Sequence, residues 1–209
     1  VALSADGNTL VVGAALESSG ADTNGTKIYD CVPFDPINCQ SKSGAVYAFQ
    51  READNSWSQS AYLKASNSEA GDNFGVSITL SSDGNTLAVG ANGEDSGVGI
   101  DGGPLDDCSD IPKGLPGSPP ILVTTKNCQR NSGAVYVFLR QPDNTWAQKA
   151  YLKASNASGN SDFGNSVALS SDGNTLAVGA LFESSSQGSD SLSTPDCYST
   201  LESNCLKNS

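Results

Sequence analysis

The sequence predicts an all-β protein built from repeated four-stranded antiparallel sheets. Three observations carry that reading: one twelve-residue stretch written three times, a second strand motif written twice, and cysteine pairs at constant distances from both. The repeated stretch is LSADGNTLVVGA from Leu3, LSSDGNTLAVGA from Leu80 and LSSDGNTLAVGA from Leu169. Leu3 to Leu80 is 77 residues and Leu80 to Leu169 is 89, and self-similarity at so long a period marks a repeated supersecondary unit.

Within each copy, Asp-Gly-Asn lies between apolar runs. That is a hairpin turn signal, because one or two turn residues need positive φ. Each copy therefore reads as strand, tight turn, strand. A single carboxylate in so short a turn falls well below the six to eight oxygens calcium wants, so Asp6, Asp83 and Asp172 read as turn formers. The second motif is Ser43-Gly44-Ala45-Val46-Tyr47-Ala48-Phe49 and its copy from Ser132 to Phe138, with apolar residues on both alternating faces, as in a strand covered on both sides. Polar turns then lead to Trp57 and Trp146, and on to Ala61-Tyr62-Leu63-Lys64 and Ala150-Tyr151-Leu152-Lys153. The unit is four antiparallel strands, and no convincing amphipathic helix interrupts it.

Between the second and third strands of each unit lies a polar insertion. Ala14 to Cys31, Ala91 to Cys108 and Ala180 to Cys197 are each 17 residues; Cys39 to Ser43, Cys128 to Ser132 and Cys205 to Ser209 are each 4. Only the gap between paired cysteines varies, at 8, 20 and 8. A bridge fixes both ends of a loop and leaves its interior free to change length, so the arithmetic selects Cys31–Cys39, Cys108–Cys128 and Cys197–Cys205 from the possible pairings. Each closure contributes about 2 to 3 kcal/mol in the chain-entropy view. Such bridges persist outside the reducing cytosol, which implies an extracellular or cell-surface setting. Zinc-binding thiolates prefer tighter spacing.

Four-stranded sheets with both faces buried, repeated along a chain, stack as propeller blades. Phe74-Gly75 followed by Val89-Gly90-Ala91, and Phe163-Gly164 followed by Val178-Gly179-Ala180, resemble the FG-GAP repeat of integrin α-subunit propellers and related bacterial surface proteins. The resemblance implies a β-propeller and spans adhesion, ligand-binding and accessory roles, so it speaks for fold more than for function. On this reading residues 1–66 form a first blade without its Phe-Gly lead-in, 67–156 a second, and 157–209 the first hairpin and insertion of a third. About two and a half blades make an incomplete ring. The expectation is a piece of a larger propeller, or a subunit completed by strands of its neighbours, with a homo-oligomer or filament as one outcome.

The chain carries 23 acidic against 11 basic residues, a net charge of −12. Phosphate backbones want a basic surface, so nucleic acid is excluded as a partner. No stretch approaches the roughly 18 apolar residues of a membrane helix. There is no histidine, which removes the usual general base and the commonest transition-metal ligand, and the expectation is no enzyme and no cofactor.

Strand direction places the insertions and the Ser/Asn-rich connections ahead of Phe74 and Phe163 on one face, the expected interaction face. It carries Glu17, Glu94, Asp95, Asp101, Asp106, Asp107 and Glu183. Two readings of these acids stand side by side: solvated loop charges, or a calcium site with Glu94, Asp95 and Asp101 as candidates. The sequons at Asn24 and Asn156 lie on the same face and are glycosylation candidates. Trp57, Trp146, Tyr47 and Tyr136 read as packing between blades, with an aromatic ligand platform as the alternative. Function therefore reads as an extracellular structural or interaction protein assembling by strand complementation. The alternative is a calcium-dependent adhesin or ligand-binding propeller using the insertion face.

Overall fold

The computed structural model describes residues 1–21, 28–29, 40–96 and 129–184. All six cysteines, Asn24, Asp101, Asp106 and Asp107 lie outside these residues. The described chain is all β, with no helix among the described residues.

The first sheet is a meander of β1 (Ala2–Leu3), β2 (Thr9–Ala14), β5 (Ala45–Arg51) and β6 (Trp57–Leu63). A short ladder of β3 (Gly20–Ala21) and β4 (Ile28–Tyr29) sits within the first insertion, where the sequence shows only polar loop. The second sheet repeats the order with β7 (Ser77–Leu80), β8 (Thr86–Ala91), β9 (Ala134–Arg140) and β10 (Trp146–Leu152). The hairpin of β11 (Phe163–Leu169) and β12 (Leu176–Ala180) follows. The two full sheets are blades, and the described residues form no closed ring.

The hairpin turn explains its own sequence atom by atom. Gly84 takes φ 73°, and its N–H donates to the Ser81 carbonyl at 3.0 Å. The Asp83 carboxylate accepts from the Ser81 hydroxyl at 2.5 Å and the Asn85 N–H at 3.0 Å, while Ser81 Oγ accepts from the Thr86 N–H at 2.9 Å. The turns at Asp6 and Asp172 repeat these bonds. In all three, the serine hydroxyl is the first cause holding the aspartate below the usual carboxylate range.

The joint between sheets explains the Phe-Gly and Gly-Ala pairs. Phe74 pairs in parallel with Gly44 of the first sheet, and its ring is fully buried edge-on to Tyr136 at 5.3 Å. Phe163 pairs with Gly133 in the same way. The carbonyl of Gly75 seats against Gly13, where a Cβ would lie 2.1 Å from the oxygen; Gly164 seats against Gly90 at 2.0 Å. Any side chain at Gly13 or Gly90 would force the sheets apart. The main core, with Val11, Val46, Leu63, Phe74, Leu87, Val89, Tyr136 and Phe138, runs continuously through the first joint.

The aromatic residues divide accordingly. Tyr136 is enclosed in the core, Trp146 packs against it, and Tyr47 lies edge-on to Tyr62 at 5.2 Å. Trp57 remains 43% exposed. Tyr136 thus offers no face to a ligand, because it is sealed in the joint with the preceding sheet, against Phe74 and with its hydroxyl donating to Asn67.

Candidate functional site: the root of the insertions

Each insertion leaves the sheet at a glutamate placed three residues beyond the Gly-Ala pair: Glu17, Glu94 and Glu183. The Gly-Ala strand ends there because its backbone turns. The Glu94 N–H donates to the carbonyl of Ala91, and that of Gly93 to the carbonyl of Asp72. The side chain of Glu94 then folds inward, with only 2% of the residue exposed.

Glu94 is a hub. One carboxylate oxygen accepts from Asn67 Nδ2 at 3.1 Å, from the Ser96 N–H at 3.0 Å and from the Ser96 hydroxyl. The other accepts from the Tyr151 hydroxyl at 2.8 Å and from Lys153 Nζ at 2.5 Å. Lys153, in turn, donates to Ser132 Oγ at 2.7 Å. A charge-assisted bond to each oxygen, inside a desolvated pocket, makes this a strong pairing. Burial pushes Glu94 up, but the Lys153 charge and these donors hold it below its ordinary value. Burial draws Lys153 down.

The first sheet repeats the arrangement with more solvent. Glu17 accepts from Tyr62 at 2.9 Å, Lys64 at 2.8 Å and Ser19, and Lys64 donates to Ser43 Oγ at 2.7 Å. Here burial raises Glu17 while Lys64 and Ser19 lower it more, and it settles at about 2. In the third unit Asn156 Nδ2 donates to Glu183 at 3.2 Å, as Asn67 does to Glu94. An asparagine from one sheet's exit thus grips the next sheet's glutamate. Ser158, the hydroxyl residue of the Asn156 sequon, is buried against Ser161 Oγ at 2.7 Å.

Backbone bonds close the loop base in equal register. Gly44 N–H donates to Glu17 and Gly133 N–H to Glu94; Gln40 N–H donates to Ser18 and Gln129 N–H to Asp95. Outgoing and returning arms are held side by side immediately next to Cys39 and Cys128 in sequence.

Solvated loop acids are therefore the wrong reading for Glu94. It is buried, which leaves its charge to be balanced by Lys153, and both its oxygens are occupied. Asp95 accepts from the Asn131 N–H at 2.6 Å, and burial raises it. Among the described residues no three His, Cys, Asp or Glu side chains converge to hold a metal ion. Sequence reasoning missed Lys64, Lys153, Tyr62, Tyr151 and Asn67 as members of the site. The signal was present: Tyr-Leu-Lys-Ala-Ser-Asn occurs at 62–67 and 151–156, in step with the glutamates.

Chemically, the hub is a closed, neutralised lock. Its acid, base and hydroxyl groups satisfy one another, so it fixes loop roots. The sequence profile of the FG-GAP repeat family matches residues 57–104 and 146–193. Each match begins at the last strand of one sheet and runs through the hairpin of the next, so the repeated unit in sequence is the joint. No curated protein shows significant similarity to the chain.

Proposed function

This chain carries FG-GAP repeats, and we propose that it is a non-catalytic, extracellular interaction protein whose blades present the insertions from one rigid face and join to further blades or copies. The observation that carries the reading is the hub at Glu94. It pins both arms of an insertion to the sheet and ties that sheet to the one before it through Asn67. A rigid scaffold under variable loops is how binding residues are commonly displayed. The absence of histidine and the mutual satisfaction of the buried acid and base favour a structural over a catalytic role. The cysteine pairs Cys31–Cys39, Cys108–Cys128 and Cys197–Cys205 belong to the same reading, as covalent clips beyond the hydrogen-bonded root.

Light scattering of the protein over a wide concentration range, with and without a chelator, tests it. Multimers indifferent to the chelator are expected. A folded monomer at every concentration refutes joining between copies, and dissociation by the chelator would instead favour calcium-dependent contacts at the insertion face.

A further inference from the structure

The two joints share a backbone frame but differ in one pair of side chains. In the first, the connection of residues 65–73 donates from the Gly71 N–H to the Ser41 carbonyl at 2.9 Å and from the Asn73 N–H to the Lys42 carbonyl at 3.0 Å, and its Asp72 carbonyl accepts from the Gly93 N–H at 3.1 Å. The second joint repeats these bonds, with Asn160 donating to Arg130, Asp162 to Asn131 and Phe182 to Ser161. Each connection thus ties the returning arm of one insertion to the outgoing arm of the next. The side chains at its turn are Glu69 and Asp72 in the first joint, and Ser158 and Ser161 in the second. The two serine hydroxyls bond each other at 2.7 Å and carry no charge.

Asp72 is 3% exposed, and its carboxyl accepts from the Glu69 N–H at 2.7 Å. No ammonium or guanidinium pairs with it among the described residues; the ammonium of this pocket, Lys153, is bound to Glu94 at 2.5 Å. The other groups that face it are Glu69 on its own connection, Glu94 and Asp95 at the insertion root, and the buried phenols of Tyr136 on β9 and Tyr151 on β10, which burial keeps neutral. Asp95 spans both arms of the insertion: its carboxylate accepts from the Asn131 N–H at 2.6 Å and its carbonyl from the Gln129 N–H at 2.7 Å. A charge on Asp72 would therefore be buried with one donor and would press on the residues that close the root. Burial without a counter-charge, and like charges alongside, both favour the neutral acid.

We propose that Asp72 is a proton-operated latch on the root of the second insertion: the connection 65–73 stays docked on Gly93 and Glu94 while the carboxyl keeps its proton, and its hold weakens as the proton is withdrawn. Undocking brings the carboxyl into water, where it ionises near its ordinary value of 3.8, so each opening releases one proton. The opening constant then rises about tenfold per pH unit until about 8, where docked Asp72 also loses its proton. Undocking frees the Gly93 N–H from the Asp72 carbonyl and Asn67 from Glu94. The second joint has Ser161 at this place and no proton to release; its own acid, Asp162, stands where the first has Asn73 and is only half-buried. The latch rests on the reading that the insertion face is presented for interaction, and it makes the second root answer to pH.

Amide hydrogen exchange of the intact chain, followed by NMR from about pH 5 to 7, tests it, because protection corrected for the intrinsic rate reads local opening. Protection of the Gly93 N–H is expected to fall about tenfold per pH unit in the wild type and to stay level in Asp72→Asn, which keeps the shape of the carboxyl and never ionises. Should that variant fail to fold, Asp72→Ser, which copies the second joint, gives the same comparison. A level wild-type protection, or an equal fall in the variants, overturns the latch. Gly93 should also be less protected than the β9 amides throughout; equal protection means that the root opens only with the whole chain, and overturns it. In the wild type itself, the Asp72 13Cγ shift should titrate well above the ordinary carboxylate range, and titration near 3.8 overturns it. These readings are local to one chain, so their failure is distinct from a failure of joining between copies, which light scattering measures.

Discussion

Replacing Lys153 with methionine keeps most of the side chain's length and apolar stem but deletes the ammonium. Two groups lose a partner. One oxygen of Glu94 keeps only the Tyr151 hydroxyl, and Ser132 Oγ loses its donor. The side chains of Lys153 and Glu94 are 4% and 2% exposed, so water cannot replace the lost charge. Breaking a buried pair on one side costs about 3–5 kcal/mol, most of it the desolvated charge left behind. The first sheet supplies an internal control, because Lys64 makes the matching contacts with Glu17 and Ser43, at 7% and 17% exposure of the ion pair. Water reaches Glu17, so Lys64→Met should cost only about 1.5–3 kcal/mol, the worth of a hydrogen bond to a charged group. Urea unfolding followed by circular dichroism measures both, with the midpoint and slope fitted together. Adding Glu94→Gln to Lys153→Met should recover part of the loss, since a neutral amide can stay buried where an unpaired carboxylate cannot. A Lys64→Met cost equal to or above that of Lys153→Met would refute the argument that burial, and not contact geometry, sets the strength of the lock.

Calorimetry should separate two glycines that look alike in sequence. Gly7→Ala meets no atom within 4 Å and bears only the strain of φ 70°, about 1–2 kcal/mol, whereas Gly90→Ala places a methyl 2.0 Å from the Gly164 carbonyl and should lower Tm far more. Equal melting shifts would mean the joint does not depend on that close approach. Asp72, buried first and then pressed by Glu94, Glu69 and Asp95, is pushed from 3.8 up to about 8. The folded state therefore holds this proton more tightly than the unfolded chain, and the wild type loses stability as pH climbs from 3.8 to about 8. Asp72→Asn should remove that decline, so the variant gains on the wild type across this range; parallel urea midpoints would contradict it. Glu17 has the opposite sign: its contribution is complete above 4.5 and is lost as pH falls through about 2, so the advantage of wild type over Glu17→Gln should shrink there.

The turns and strands were legible because their causes are local. Ser81, Asp83, Asn85 and Thr86 satisfy one another within five residues, and any chain carrying that run closes the same hairpin. The all-β class and the strand order followed from repeating it. The site was only half legible. Glu17, Glu94 and Glu183 stood out as insertion-face acids, but their partners lie far along the chain, Lys153 being 59 residues from Glu94. A glutamate beside a loop reads as solvated until the strand carrying its lysine is known to return beneath it.

By itself the sequence determined the repeat, the hairpin chemistry, the alternation that makes β5 and β9 two-faced strands, and the places where a Phe-Gly pair must meet a Gly-Ala pair. Tertiary structure alone decided what those pieces experience. The same Leu-Ala-Val-Gly-Ala run is sealed in β8 and partly exposed in β12, and the same glutamate is locked dry at 94 and wetter at 17. The reason is that a hydrogen bond across a turn depends on its own few residues, whereas desolvation depends on whatever neighbour excludes the water.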